Sequence, residues 1–267
     1  MPEGHIIRIE ADRQNALLGG RKVRASSPQG RFEEADAIDG LKLTSVEGRG
    51  KVLFYHFGKP NIVMVHLGRL GRFRHHAGHV PEPRGAVRMR LATNDAGLDL
   101  IAPITCKIVS VDEHQAELDK LGPDPLHPDF DESAAKKWVR EKCKASRKQI
   151  GALLLDQSVW TGVGNIFRAE ALFRTGIHPA TPANELTTKQ FNALWEDMLH
   201  LMRYATKTGK IIGVDRKDID KPPSKLGSGE RFLVYKRGKC RRCRSDLKTS
   251  TIGSRPITWC PKCQKPN

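Results

Sequence analysis

Between residues 21 and 111 the apolar positions fall in short runs rich in β-branched and aromatic side chains, at 51–57, 61–67, 86–92 and 98–111. Runs of that length, interrupted by Glu47-Gly-Arg-Gly50 and Val80-Pro-Glu-Pro-Arg-Gly85, predict strands joined by tight turns, as in a sandwich or barrel. Ahead of them, Ile6, Ile9, Ala16 and Leu17 are spaced among charges in a way that suits a leading helix over 6–18. The pattern changes at Leu121-Gly-Pro-Asp-Pro-Leu-His-Pro128, where three prolines forbid a continuous helix and mark a connection. Beyond it, helical spacing governs 133–144, 150–157, 163–174 and 187–207. In the last of these, Phe191, Leu194, Trp195, Met198, Leu201 and Met202 form one stripe, which reads as core. Thr187 or Thr188 should cap that helix and Gly209 should stop it. The polar stretch 214–229 reads as a mobile loop. The expected division is a first domain at 1–120, a linker at 121–130, a helical domain at 131–229 and a C-terminal module at 230–267.

Composition changes the picture by pointing to a partner. The 267 residues include 46 Lys and Arg against 30 Asp and Glu, a formal charge of +16, which creates a field for polyanions. Aromatic residues make up only 6% of the chain, too few for a surface built to stack single-stranded bases. Apolar runs are too short to span a bilayer. With no apolar signal segment, a soluble protein of a reducing cytoplasm is expected, without membrane attachment.

Two features carry chemistry. The opening Met1-Pro-Glu-Gly4 places a small residue second, so removal of Met1 would expose the secondary amine of Pro2. An α-amino group has a pKa near ~7.7–8, leaving a useful unprotonated fraction at neutral pH for attack on an aldehyde-like carbon. Glu3 is beside it to move protons. At the far end, Cys240, Cys243, Cys260 and Cys263 form C-x2-C-x16-C-x2-C, the spacing of a tetrahedral zinc site closed by a hairpin. Lys239, Arg241, Arg242, Arg244, Lys248, Arg255, Lys262 and Lys265 surround those ligands and suit phosphate binding.

Three motifs in order, Met1-Pro-Glu-Gly4, Leu153-Leu-Leu-Asp-Gln157 followed by Thr161-Gly-Val-Gly-Asn-Ile-Phe-Arg-Ala-Glu170, and Ser254-Arg-Pro-Ile-Thr-Trp-Cys-Pro-Lys-Cys-Gln264, resemble the formamidopyrimidine-DNA glycosylase and endonuclease VIII family. The resemblance runs from end to end. It implies a multidomain α+β protein: an N-terminal β-sandwich, a helix–two-turn–helix domain, a zinc-finger β-hairpin and a DNA cleft between the lobes. It also implies a bifunctional DNA glycosylase and AP lyase of base-excision repair, acting on damaged double-stranded DNA as a monomer in the bacterial cytoplasm and nucleoid.

By this resemblance Pro2 is the nucleophile, Glu3 the proton donor, and Lys51 a catalytic lysine that also grips phosphate. His66 and Asn165 contact the DNA backbone, and Arg255 holds the phosphate beside the extruded nucleotide. One structural zinc ion at the four cysteines completes the set. The motifs and Gly151, which replaces a lysine of the 8-oxoguanine branch, favour the endonuclease VIII branch and oxidised pyrimidines. The alternatives are an 8-oxoguanine or formamidopyrimidine glycosylase, or a damaged-DNA-binding protein without activity. A zinc nuclease or deaminase needs an open metal position, which four cysteines do not leave. Departures from the family occur at His5-Ile6, where a carboxylate is missing, at Arg69-Leu70 among the residues that fill the void left by the flipped base, and in 98–107, which lacks an Arg-Arg-Phe wedge.

Overall fold

Strands of the first 110 residues pair into two four-stranded antiparallel sheets whose buried side chains meet in one core. The computed structural model describes residues 2–58, 61–215 and 219–266. In chain order the first unit contains α1 (Gly4–Leu18), β1 (Arg24–Ser26), β2 (Ser45–Arg49), β3 (Val52–His56), β4 (Ile62–His66), β5 (Arg72–Ala77), β6 (Val87–Ala92), β7 (Ala96–Ile101), β8 (Thr105–Val109) and α2 (Val111–Asp119). One sheet has the order β1-β6-β7-β5 and the other β2-β3-β4-β8. Leu53, Tyr55, Val63 and Val65 from the second sheet share a buried cluster with Met89, Leu91, Leu98 and Leu100 from the first. Each such side chain contributes roughly 1.5–3 kcal/mol by leaving water. The result is a β-sandwich.

Several strands differ from the sequence expectation for identifiable reasons. The run at 98–111 is not one strand: Ala102, at φ 49°, and Pro103 break it, so that β7 pairs with β5 and β6 while β8 crosses to pair with β4. Its end starts helix α2, whose Ser110 and Glu113 form a reciprocal capping box. Strands β1, β2 and β5 were not expected, since β1 is only three residues long, β2 contains Gly48, and β5 reads Arg-Phe-Arg-His-His-Ala.

The second unit, residues 121–267, contains α3 (Glu132–Lys144), α4 (Ile150–Leu153), α5 (Asn165–Arg174), α6 (Thr188–Thr208), α7 (Ser228–Arg231), β9 (Lys248–Ile252) and β10 (Arg255–Trp259). Thr187 and Gln190 cap α6, and Gly209 in the left-handed region ends it. Its apolar stripe packs with Trp160, Phe167 and Phe173, the rings of Trp160 and Trp195 lying 4.9 Å apart. The expected helix over 150–157 is only one turn, because Asp156 turns the chain by accepting from Ser158. The helix expected from 163 starts at Asn165, since Gly162 has φ 85° and Gly164 is extended. Within 214–229, residues 216–218 lie outside the described residues. The remainder carries short helical turns rather than an open loop, with Leu226 buried against Ile212 and Val214.

Asp99 shows how the sandwich tolerates a charge inside it. It is fully buried, yet Arg90 donates to both carboxylate oxygens at 2.6 and 2.9 Å and His76 approaches at 3.0 Å. Burial raises its pKa, but these partners outweigh burial and leave the carboxyl below its usual range. The associated stability is therefore complete above the unfolded carboxylate pKa, near ~3.9, and is lost as pH falls through the depressed folded value. Asp99→Asn should cost about 3–5 kcal/mol in denaturant unfolding near neutral pH, because it leaves Arg90 buried without its counter-charge.

Candidate functional site

In the first unit, helix α1 and the β2–β3 hairpin bring the N-terminus toward the lysine turn. Asn15 clasps strand β2, its Nδ2 donating to the Val46 carbonyl at 2.6 Å and its Oδ1 accepting from Val46 N at 2.7 Å. Further toward the helix start, Ile7 and Ala11 press on Gly48, where a Cβ would lie only 3.2–3.3 Å from them. The helix thus runs antiparallel to β2, rising about 1.5 Å per residue against about 3.3 Å for the strand. Continuing that course carries Pro2 and Glu3 toward Gly50 and Lys51. Gly50, at φ 57°, makes the two-residue turn that places Lys51 just ahead of β3.

Glu3 is fully buried at the helix start, while Pro2 and Lys51 are half-buried. His66 is opposite Val52 in the β3–β4 register, which sets it at the same end of the sheet as Lys51. Burial lowers the His66 pKa and the charge of Lys51 adds to that effect, so the imidazole is neutral at physiological pH. Its Nδ1 accepts from Gly68 N at 3.1 Å. Ile6, the departure from the family carboxylate, packs against the sandwich core.

The loop after β4 presents Arg69 and Leu70, both exposed, with Leu70 at 73%. Sequence reading missed its neighbour Ile104, which is 71% exposed. Ile104 N donates to the His66 carbonyl at 2.9 Å, and a Cβ on Gly68 would lie 3.0 Å from the Ile104 side chain. Among the described residues, exposed large apolar side chains otherwise occur only at Val111 and Trp138. The only available signal was Pro103 before Ile104, where a strand pattern should break.

In the second unit, a buried arginine joins Asn165 to the Arg255 hairpin. Arg168 is fully buried and donates to the carbonyls of Gly151 at 2.7 Å, Ile252 at 2.8 Å, Arg255 at 3.1 Å and Pro256 at 3.3 Å. Its Nε also donates to Asn165 Oδ1 at 2.9 Å, and Asn165 Nδ2 donates to the Pro256 carbonyl at 2.9 Å. These bonds hold the β9–β10 turn, where Gly253 and Ser254 both have positive φ, and leave Arg255 exposed immediately after it. Gly151 contacts the same region so closely that a Cβ would lie 2.9 Å from the Pro179 carbonyl and 3.3 Å from Ile252. Gln157 braces the approach to α5, accepting from Gly162 N at 3.1 Å and donating to the carbonyls of Leu155 and Val163. Glu170, on the same helix, accepts from the backbone N–H groups of Leu233, Val234 and Tyr235.

The four C-terminal cysteines converge at metal-binding distance, their sulfurs all within 4.8 Å of one another. Cys243 and Cys260 Sγ are 3.5 Å apart, and Cys240 and Cys263 Sγ are 3.9 Å apart. Metal–sulfur bonds of about 2.3 Å in a tetrahedron require sulfurs about 3.8 Å apart, whereas a disulfide requires about 2.05 Å. Hydrogen bonds from Ser245 bring the Cys243 thiol down to about 6 and favour its thiolate. Gln264 bonds Cys260 N through its Oε1 and donates from Nε2 to the Ile177 carbonyl, fixing the second cysteine pair to the helical core. Cys106 and Cys143 are buried elsewhere, and burial pushes both thiols up to about 12, which makes them poor nucleophiles.

Arg168→Met should preserve bulk but leave four carbonyls without their charged donor, costing on the order of 3 kcal/mol. Hydrogen exchange should accelerate first at the amides of 252–255, while the β-sandwich amides of the first unit stay protected.

Comparisons with known proteins identify the family of the chain. The formamidopyrimidine-DNA glycosylase N-terminal domain matches residues 1–101, and the formamidopyrimidine-DNA glycosylase H2TH domain matches 121–216. The chain is 40% identical over 271 residues to Endonuclease 8 1 of Mycobacterium tuberculosis, covering 99% of this chain and 100% of that one. It is 30% identical over 272 residues to Endonuclease 8 of Escherichia coli, again covering 99% and 100%. Among solved structures, a Lactococcus lactis Fpg in complex with DNA containing an abasic site aligns with a TM-score of 0.78 at 23% identity, over 98% of this chain and 99% of that one. The chain therefore belongs to the formamidopyrimidine-DNA glycosylase and endonuclease VIII family.

Proposed function

We propose that this protein is a bifunctional DNA glycosylase and AP lyase of base-excision repair that removes oxidised pyrimidines through its N-terminal proline. The supporting observation is the meeting of α1, the Lys51 turn and His66 at one end of the sandwich, within a chain 40% identical to an Endonuclease 8. Met1 lies outside the described residues, and its removal belongs to the proposal. The Gly151 backbone approach leaves little room for the lysine of the 8-oxoguanine branch, which favours pyrimidine substrates.

The reaction begins with extrusion of the damaged nucleotide, since its sugar carbon is unreachable within the stack. Leu70 and Ile104 supply apolar surface for the vacated space, with Arg69 beside them. The Pro2 nitrogen attacks C1′, and the C1′–base bond breaks as Glu3 delivers a proton to open the sugar ring. The resulting iminium draws electrons from the sugar, so a base can remove a 2′ proton and expel the 3′ phosphate. A second elimination expels the 5′ phosphate, and hydrolysis of the iminium frees Pro2. Lys51 offsets phosphate charge during these steps, while neutral His66 contacts the backbone nearby.

In the second unit, Asn165 and exposed Arg255 grip phosphate at the start of α5 and at the hairpin turn. Helix N-termini favour anions, and the Arg168 network fixes both groups in one piece. Cys240, Cys243, Cys260 and Cys263 hold one zinc ion that supports the hairpin and, with four sulfur ligands, activates no water. In this reading residues 1–120 carry the covalent chemistry, 121–130 link, and 131–229 with 230–267 bind DNA. The protein acts as a cytoplasmic monomer on duplex DNA. Among the described residues, no helix is long and apolar enough to cross a membrane.

Borohydride reduction on duplexes containing thymine glycol, 8-oxoguanine or an abasic site tests the chemistry. Wild type should become covalently trapped, most strongly with thymine glycol among the two damaged bases. Pro2→Gly should trap far less, and Glu3→Gln should lose base removal while still trapping at a preformed abasic site. DNA binding without trapping on any substrate would instead identify a non-enzymatic damage-binding protein. Chelation of zinc from the folded protein should weaken duplex binding first, with trapping recovered at saturating DNA. Immediate loss of chemistry with binding intact would point to a catalytic metal.

A further inference from the structure

A second group of metal-ligating side chains lies in the β-sandwich, away from the cysteines and unused by the proposed reaction. Glu47 on β2, His56 on β3 and His114 on the first turn of α2 place their donor atoms within 4.8 Å of one another. The register explains the strand pair: Glu47 is opposite Phe54, so His56 is its diagonal neighbour on the same face. Helix α2 covers that face through Leu118, which packs with Phe54, Ile62 and Val109. The ring of Phe54 meets that of His114 edge-on at 4.5 Å and orients it.

Glu47 Oε2 is 3.4 Å from His56 Nε2 and 3.5 Å from His114 Nε2. A zinc ion with bonds of about 2.0–2.1 Å to nitrogen and oxygen requires tetrahedral donor edges of about 3.3–3.4 Å. Both separations therefore need only a small adjustment. His114 is 13% exposed in its side chain, and its buried Nε2 faces the carboxylate without completing a hydrogen bond. A lone pair directed at a bound ion would satisfy that atom.

The donor set is one carboxylate oxygen and two imidazole nitrogens, the ligand types that zinc takes from such residues. Arg49 Nε lies 2.8 Å from the other Glu47 oxygen, Oε1, where it orients the carboxylate and leaves Oε2 toward the histidines. That arginine reduces the affinity by its charge, but it does not occupy the donor position.

We propose that Glu47, His56 and His114 form a second divalent transition-metal site, with zinc as its natural ion and water in the fourth position. The ion would join helix α2 to the two strands flanking the Lys51 turn, making a metal-dependent brace for the hairpin. Two imidazoles and one carboxylate without sulfur distinguish this site chemically from the four-cysteine centre.

The full-length protein carrying its cysteine-bound zinc is titrated with Zn2+ and, separately, Co2+, beside His114→Gln and Glu47→Gln. Wild type should take up one additional ion per chain, measured by calorimetry and elemental analysis after gel filtration. Added Co2+ should give visible bands without thiolate charge-transfer absorption, and added Zn2+ should raise the melting temperature. Each variant should lose the additional ion, its bands and the thermal shift while retaining the first zinc. Equal uptake by all three proteins, no additional uptake by wild type, or thiolate absorption from the added Co2+ would overturn the proposal. If one variant fails to fold, the comparison rests on the other, since the two substitutions lie on different elements.

Discussion

The guanidinium of Arg168 is buried and directs its donors to backbone carbonyls. A buried charge is tolerable only when its hydrogen bonds are completed, so the chain has to bring Gly151, Ile252, Arg255 and Pro256 to one place. This requirement couples a one-turn helix, the start of α5 and the C-terminal hairpin, which are far apart in sequence. Asn165 adds a second connection to the same hairpin. Helix α5 continues the linkage through Glu170, whose carboxylate receives three backbone N–H groups from the segment leading to the cysteines. The four converging cysteines thus gather at one end of the hairpin while Arg168 braces the other.

In the β-sandwich the corresponding constraint is close approach. Gly48 lets α1 lie directly on β2, and Asn15 fixes its longitudinal position by pairing with both polar atoms of Val46. A rigid helix carried in this way delivers its first residues to the hairpin turn rather than leaving the N-terminus as a loose strand. Reactive groups on rigid elements lose less freedom on reaching the transition state. Glu3, the residue just before the first turn of that helix, is fully buried.

The departures from the family become interpretable in the same physical terms. Ile6 belongs to the core cluster's margin, so its loss of charge is matched by apolar packing. Gly151 occupies a place with no space for a side chain beside Pro179 and Ile252. Leu70 and Ile104 expose large apolar surfaces next to the His66 strand end, offering aliphatic contacts where the family motif has other residues. Two loops thus bring these exposed apolar side chains close together without a recognisable local motif.

The sequence by itself determined what local chemistry can specify. It showed the amphipathic α6, the C-x2-C-x16-C-x2-C spacing of the cysteines and the Gly-x-Gly-Asn entry to α5, because each is written within a short segment. It did not determine that 98–111 divides between two sheets, since apolar continuity cannot reveal a backbone break at Ala102 and Pro103. Nor could it distinguish Arg168 from the chain's other arginines, or join Glu47, His56 and His114, because burial and long-range pairing give those residues their surroundings. Tertiary structure decided these relations for a physical reason: desolvation and hydrogen-bond satisfaction act on neighbours in space, and Arg168 and Pro256 are 88 residues apart in the chain.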